Sequence, residues 1–123
     1  IRWRIGVDRS TILQEVPSFD FGIFPSLWEE PFGISHIEMM SCGLVVLSSG
    51  RGGSGEIGVH MKDIFYYNPD SSSNLYEVLD ALLLHRCIDL KGVSLAASMT
   101  AKTKFASTNY LHSLLGIFRE TLK

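Results

Sequence analysis

Apolar residues fall in short, nearly unbroken runs at 19–24, 44–47 and 64–67, with longer stretches of mixed polarity between them. A strand that is apolar on both faces belongs in a sheet covered on both sides. Each run therefore predicts a buried strand. The opening, Ile-Arg-Trp-Arg-Ile, also predicts a strand, over 2–6, that ends at Gly6. Between the runs the spacing predicts helices. One covers 10–16, with Ser10 as its N-cap and Pro17-Ser18 as its stop. Another covers 34–42 and is closed by Gly43. A third covers 73–85, where Leu75, Val78, Leu79, Leu82 and Leu83 share one face. Two more are expected over 93–105 and 108–122, the second with an apolar stripe of Leu111, Leu114, Leu115 and Phe118 that is expected to be core. Strands joined by helices imply a parallel sheet. The expected fold class is α/β, one domain over 1–123, with about four parallel strands flanked by helices.

The densest chemistry lies between the second and third strands. The run 21–26, Phe-Gly-Ile-Phe-Pro-Ser, leads into Glu-Pro-Phe-Gly-Ile-Ser-His-Ile-Glu at 30–38. Glu30 falls in the loop at a strand's C-terminal end, and Glu38 falls inside the helix that follows. Ligands of parallel α/β sheets bind at that edge. Pro31-Phe32-Gly33 brings the chain into a helix whose first free N–H groups belong to about Gly33, Ile34 and Ser35. Such donors, with the helix dipole, favour a phosphate. Gly33 lets a ligand approach the backbone closely. A carboxylate at Glu38, about one turn further in, suits a ribose diol. Glu30 is placed to meet hydroxyls beyond the phosphate. The same residues read in isolation are ordinary surface carboxylates, Phe32 is a packing residue, Ser26 a turn residue and His36 a satisfied structural histidine.

These residues also carry a family resemblance. Pro25-Ser26-x-x-x-Glu30-x-Phe32-Gly33, with a second glutamate at 38, resembles the donor-site motif of retaining GT-B glycosyltransferases. The nearest kind is family four (glycosyl transferases group 1), which includes sucrose and glycogen-type synthases. Met40-Ser41-Cys42-Gly43-Leu44-Val45-Val46 resembles the family's A-M-A-C-G-x-P-V-V. Gly52-Gly53-Ser54-Gly55-Glu56 resembles its G-G-x-x-E, and Asn68-Pro69-Asp70 its P-x-D. Leu114, Leu115, Ile117, Phe118 and Leu122 resemble its closing helix.

The resemblance implies a partial Rossmann-like domain, the C-terminal half of a GT-B fold, and a nucleotide-diphosphate sugar as donor. It gives Glu30 the catalytic position beside the transferred sugar and Glu38 the ribose. It gives the backbone of Phe32, Gly33, Ile34 and Ser35 the sugar and diphosphate, and places Gly6 and Val7 near the nucleobase. It implies no cofactor and no metal, and an acceptor that is a saccharide, a lipid or another molecule. It also implies a missing N-terminal GT-B domain and a missing first part of the donor domain. These residues alone are then expected to be inactive. Peripheral membrane association is compatible with such a chain.

A second motif competes. Gly50-Arg51-Gly52-Gly53-Ser54-Gly55 matches G-x-G-x-x-G after a strand, the signature of a dinucleotide-binding turn. Only residues 56–63 separate it from the next strand, too few for the crossover such a fold needs. A binding module that holds a nucleotide without turnover is the other alternative. Arg51 is expected in solvent.

Composition narrows the field further. With 46% hydrophobic and 20% charged residues the chain is globular, and its net charge of −2 lacks the basic block that nucleic acid requires. No run approaches the roughly 18 apolar residues of a membrane span, and no signal peptide is read at the start. The two cysteines, Cys42 and Cys87, make neither a disulfide framework nor a metal site, and His60, His85 and His112 lack ligand spacing. The expected location is cytoplasmic.

Overall fold

The computed structural model describes residues 4–71, 73–84 and 88–121. Strands β1 (Phe21–Phe24), β2 (Val45–Ser48) and β3 (Phe65–Tyr66) form a parallel sheet in the order β1-β2-β3. Its register sets Phe24 beside Ser48 and Ser48 beside Tyr66. Those three residues form one row along the C-terminal edge. Among the described residues five helices accompany the sheet: α1 (Arg9–Glu15), α2 (Ile34–Ser41), α3 (Asn74–Leu84), α4 (Leu90–Lys104) and α5 (Ser107–Thr121). Single 3-10 turns occupy Val16–Ser18 and Gly53–Glu56.

Every residue of β2 is buried because helices cover both of its faces. Leu44, just before it, and Val46 pack with Met40, Ile57, Ile64, Ala97 and Ala101 on one side. Val45 and Leu47 pack with Phe65, Tyr67, Leu82 and Val93 on the other. The alternation of side chains along a strand produces that division. Each Val, Leu, Ile, Phe or Met side chain among them contributes roughly 1.5–3 kcal/mol by leaving water. Helix α4 lies close to α2 because it presents Ala97 and Ala101 there, both buried. The Ser94 hydroxyl donates to the Gly43 carbonyl at 2.5 Å and ties α4 to the end of α2.

The structure corrects the sequence reading at several places. The strand expected over 2–6 lies partly outside the described residues. Residues 4–6 carry no strand: Ile5 is 97% exposed and Gly6 turns at φ 66°. The sheet of the described residues thus has three strands, not about four. Ser10 does not cap α1. Asp8 does, accepting from the Thr11 N–H at 3.0 Å, and Ser10 donates its hydroxyl to the same carboxylate. These bonds hold the Asp8 carboxyl well below the usual carboxylate range, the Ser10 hydroxyl foremost. Helix α4 starts before residue 93 because Asp89 accepts from the Gly92 N–H at 2.9 Å. The apolar stripe of α5 is not core: Leu111, Leu115 and Phe118 are exposed, and Leu114 is only half-buried. Trp3, His85, Cys87 and Leu122 lie outside the described residues.

Candidate functional site

Two loops leave the C-terminal edge of the sheet side by side, and the sequence explains why they touch. The loop after β1 carries Glu30 and Pro31, and the loop after β2 carries Gly52 and Gly53. The backbones of Glu30 and Gly52 form a parallel bridge, and the Gly53 N–H donates to the Glu30 carbonyl at 2.7 Å. Gly52 has φ 62°, and a β-carbon there would meet the Glu30 backbone. A β-carbon on Gly53 would collide with the Pro31 carbonyl. The glycine-rich run is therefore a packed strap. Tyr66 fastens its far end, its hydroxyl donating to the Ser54 carbonyl at 3.1 Å and accepting from the Gly58 N–H at 3.3 Å. Burial pushes the Tyr66 phenol up.

The strap also decides between the competing motifs. A dinucleotide-binding turn opens an α-helix. Here Gly53–Glu56 is one 3-10 turn, and the chain reaches β3 without a helix. Arg51 is not in open solvent. Its guanidinium pairs with Asp70 at 2.5 Å and approaches Glu29 at 4.0 Å.

Glu30 is half-buried and held from two sides. Its Oε1 accepts from the Ser26 hydroxyl at 2.6 Å and from the Trp28 indole N–H at 2.8 Å. Ser26 thus orients a carboxylate. Glu38 faces α1, where its Oε1 accepts from Arg9 at 2.6 Å. With Ser35, Met39 and Cys42 it lines a cavity of about 180 Å³ against Ile12, Leu13 and Val16. Glu30 does not line that cavity, so the two glutamates are held by different partners.

Between them begins α2. Gly33 caps it with φ 90°, and the N–H groups of Gly33, Ile34 and Ser35 have no acceptor among the described residues. Four free N–H groups are normal at a helix start, and they leave a local positive field. Phe32 is 42% exposed, and its ring meets Phe105 edge-on at 5.5 Å. Phe32, Ile34 and Ile37 line a larger cavity of about 520 Å³ with Phe105 and Tyr110. Gly6 and Val7 precede the Asp8 cap, Gly6 fully open and Val7 half-buried.

His36 is completely buried at the foot of the helix. Its Nε2 lies 2.8 Å from the Ser48 Oγ, its Nδ1 lies 3.2 Å from the Gly33 carbonyl, and its ring packs on Phe24 at 3.9 Å. Burial lowers its pKa against smaller opposing pulls from the Gly33 carbonyl and Glu30. His36 is the satisfied structural histidine that the sequence favours.

Two of these contacts escaped sequence reasoning. Arg9 lies 29 positions from Glu38 and has no local signal. Ser48 had a weak one: it is a polar residue that closes an otherwise apolar, fully buried strand.

The comparisons with known proteins agree with this architecture. The family model for glycosyl transferases group 1 matches residues 3–103. The chain superposes on a glycosyltransferase from Rickettsia africae ESF-5 with a TM-score of 0.82 at 26% identity, covering 94% of this chain and 31% of that one. It superposes on a sucrose-phosphate synthase from Thermosynechococcus elongatus with a TM-score of 0.77 at 18% identity, covering 94% and 29%. The second likeness concerns the fold alone. The chain spans less than a third of the length of either structure. No curated protein matches it.

Proposed function

Because this chain belongs to the glycosyl transferases group 1 family, we propose that its Glu30 and Glu38 edge binds a nucleotide-diphosphate sugar. In the complete enzyme the glycosyl group then passes to an acceptor with retention at the anomeric carbon, as in hexosyltransferases of family four. The observation that carries this reading is the open start of α2. Three backbone N–H groups without acceptors among the described residues stand beyond the C-terminal end of β1, in the stretch of chain between Glu30 and Glu38.

In this proposal the N–H groups of Gly33, Ile34 and Ser35, with the Phe32 backbone, hold the diphosphate and the sugar hydroxyls. They are most useful as negative charge builds on the departing nucleotide, since fixed dipoles then need no reorganisation. Glu38 accepts the ribose hydroxyls. Its present partner Arg9 is 75% exposed, so releasing that pair costs about 1 kcal/mol or less. Glu30, held by Ser26 and Trp28, orients the transferred sugar. Gly6 and Val7 flank the nucleobase. No side-chain nucleophile, metal or cofactor belongs to the proposal. The acceptor and the N-terminal domain that would bind it belong to the rest of the enzyme. Among the described residues no helix is long and apolar enough to cross a membrane.

The test is release of nucleoside diphosphate by the full-length protein from a panel of UDP-, GDP- and ADP-sugars with mixed acceptors. NMR of the product anomer reports the stereochemistry. Release from at least one donor, with the anomeric configuration kept, supports the reading. Inertness toward every donor counts against transfer, and inversion removes retention.

A further inference from the structure

We propose that His36 is a positioning residue, which locks the start of α2 to the glycine-rich strap through a hydrogen-bond chain that can run in only one direction. The bonding logic fixes that direction. The Gly33 carbonyl can only accept, so the facing Nδ1 of His36, 3.2 Å away, carries a proton. Burial disfavours the charged ring. In the neutral ring Nε2 is then an acceptor, and the Ser48 hydroxyl 2.8 Å away must donate to it. The Ser48 oxygen in turn accepts the Gly50 N–H at 3.1 Å, and a backbone N–H can only donate. The chain therefore runs from Gly50 N–H to Ser48, from Ser48 O–H to His36 Nε2, and from His36 Nδ1–H to the Gly33 carbonyl. Its two ends lie on the two loops that border the candidate site.

The surroundings leave the ring no second position. His36 is 0% exposed and lies against the Phe24 ring. A β-carbon on Gly33 would stand 2.5 Å from Nδ1, so the turn that presents the free N–H groups is shaped around the imidazole. Glu30 exerts a smaller opposing pull on the ring, after burial and the Gly33 carbonyl. Its backbone is bridged to Gly52 of the same strap. Ser48 can thus influence the α2 start without touching it. A histidine that merely filled space would leave the two loops joined only at the Glu30–Gly52 bridge and the Gly53 N–H, and would not tie Ser48 to the α2 start.

The functional part of this inference rests on the nucleotide-sugar reading, but the hydrogen-bond chain does not. Two measurements on the full-length protein need no ligand. In 15N spectra of labelled histidine at neutral pH, His36 should show a protonated Nδ1 and a bare Nε2. The opposite tautomer, or a charged ring, overturns the chain. In Ser48→Ala, hydrogen exchange at the His36 amide, which donates to Gly33 and does not meet Ser48, should accelerate about tenfold, the loss of one modest hydrogen bond. Amides within α4 should keep their rates. Unchanged exchange at His36 overturns the coupling. A donor that the protein turns over adds a third reading. Ser48→Ala should lower kcat by about tenfold or more with KM nearly unchanged, because small misplacements are costly in the transition state. His36→Asn, which keeps the Gly33 bond, should retain more kcat than His36→Ala. Equal kcat in the two variants, or a change in KM alone, overturns the positioning role. If no donor is turned over, the proposed function falls, and exchange and the tautomer still decide the chain.

Discussion

Gly52 lies so close to Glu30 that a β-carbon on it would stand 2.5 Å from the Glu30 carbonyl oxygen and 2.8 Å from the Glu30 nitrogen. The strap and the glutamate loop can therefore share a bridge only if residue 52 has no side chain. Its φ of 62° and ψ of −144° add a second reason, since that region is nearly closed to other residues.

Gly52→Ala should destabilise the protein by at least about 1–3 kcal/mol from backbone strain alone, with displacement of the Glu30 loop added. Urea unfolding should show an earlier midpoint. A midpoint equal to that of the parent protein would mean that the loops separate at no cost.

Ala97→Leu tests how closely α4 lies against α2. Ala97 is fully buried beside Met40 and Val46, and overfilling such a site costs about 1–3 kcal/mol. Thermal unfolding measures the loss. An unaltered melting temperature would show unfilled space between the helices.

The His36 ring gives stability a pH dependence with a definite sign. Burial lowers its pKa in the folded protein, whereas an unfolded histidine titrates near about 6.5. Below that value the unfolded chain binds the extra proton and the folded one resists it, so stability falls as pH drops. Denaturation midpoints between pH 8 and pH 5 should decline more steeply in the parent than in His36→Gln. Parallel curves would count against a buried, neutral ring.

Glu30→Ala should chiefly reduce turnover, since the sugar then loses the carboxylate that Ser26 and Trp28 hold in place. A drop of about 100-fold is the scale for a misplaced reactant. Steady-state kinetics with a productive donor checks this, and normal turnover would remove Glu30 from the site.

Much of this architecture is legible in the sequence. The runs at 19–24, 44–47 and 64–67 each overlap a strand, β1, β2 and β3, but only the central β2 is buried at every position; β1 lies at the edge of the described sheet, where Ile23 is exposed, so its apolar run overstated its burial. Gly33 and Gly43 bound α2 as expected, since their positive φ angles are local requirements. The family follows from motifs in order along most of the chain. Other features were hidden for physical reasons. Asp8 outcompeted Ser10 as a cap because a carboxylate accepts several bonds at once. The pairing of Arg9 with Glu38 joins two helices across 29 positions of sequence, which no local spacing encodes. The α5 stripe looked like core because amphipathic spacing reports a face, not what covers it. The close packing of the strap was hidden because glycine permits both freedom and close approach, and only the Glu30 and Pro31 backbones show which applies.

The central claim is that the α2 start, flanked by Glu30 and Glu38, grips a nucleotide sugar. Calorimetric titration of the full-length protein with UDP, GDP, ADP and NAD, repeated with Glu38→Ala, tests it most directly. One nucleoside diphosphate should bind well and NAD should not, and Glu38→Ala should weaken that binding by about 1–3 kcal/mol, the cost of unpairing buried polar groups. Tight NAD binding without any response to the diphosphates, or equal affinity in Glu38→Ala, would contradict the account.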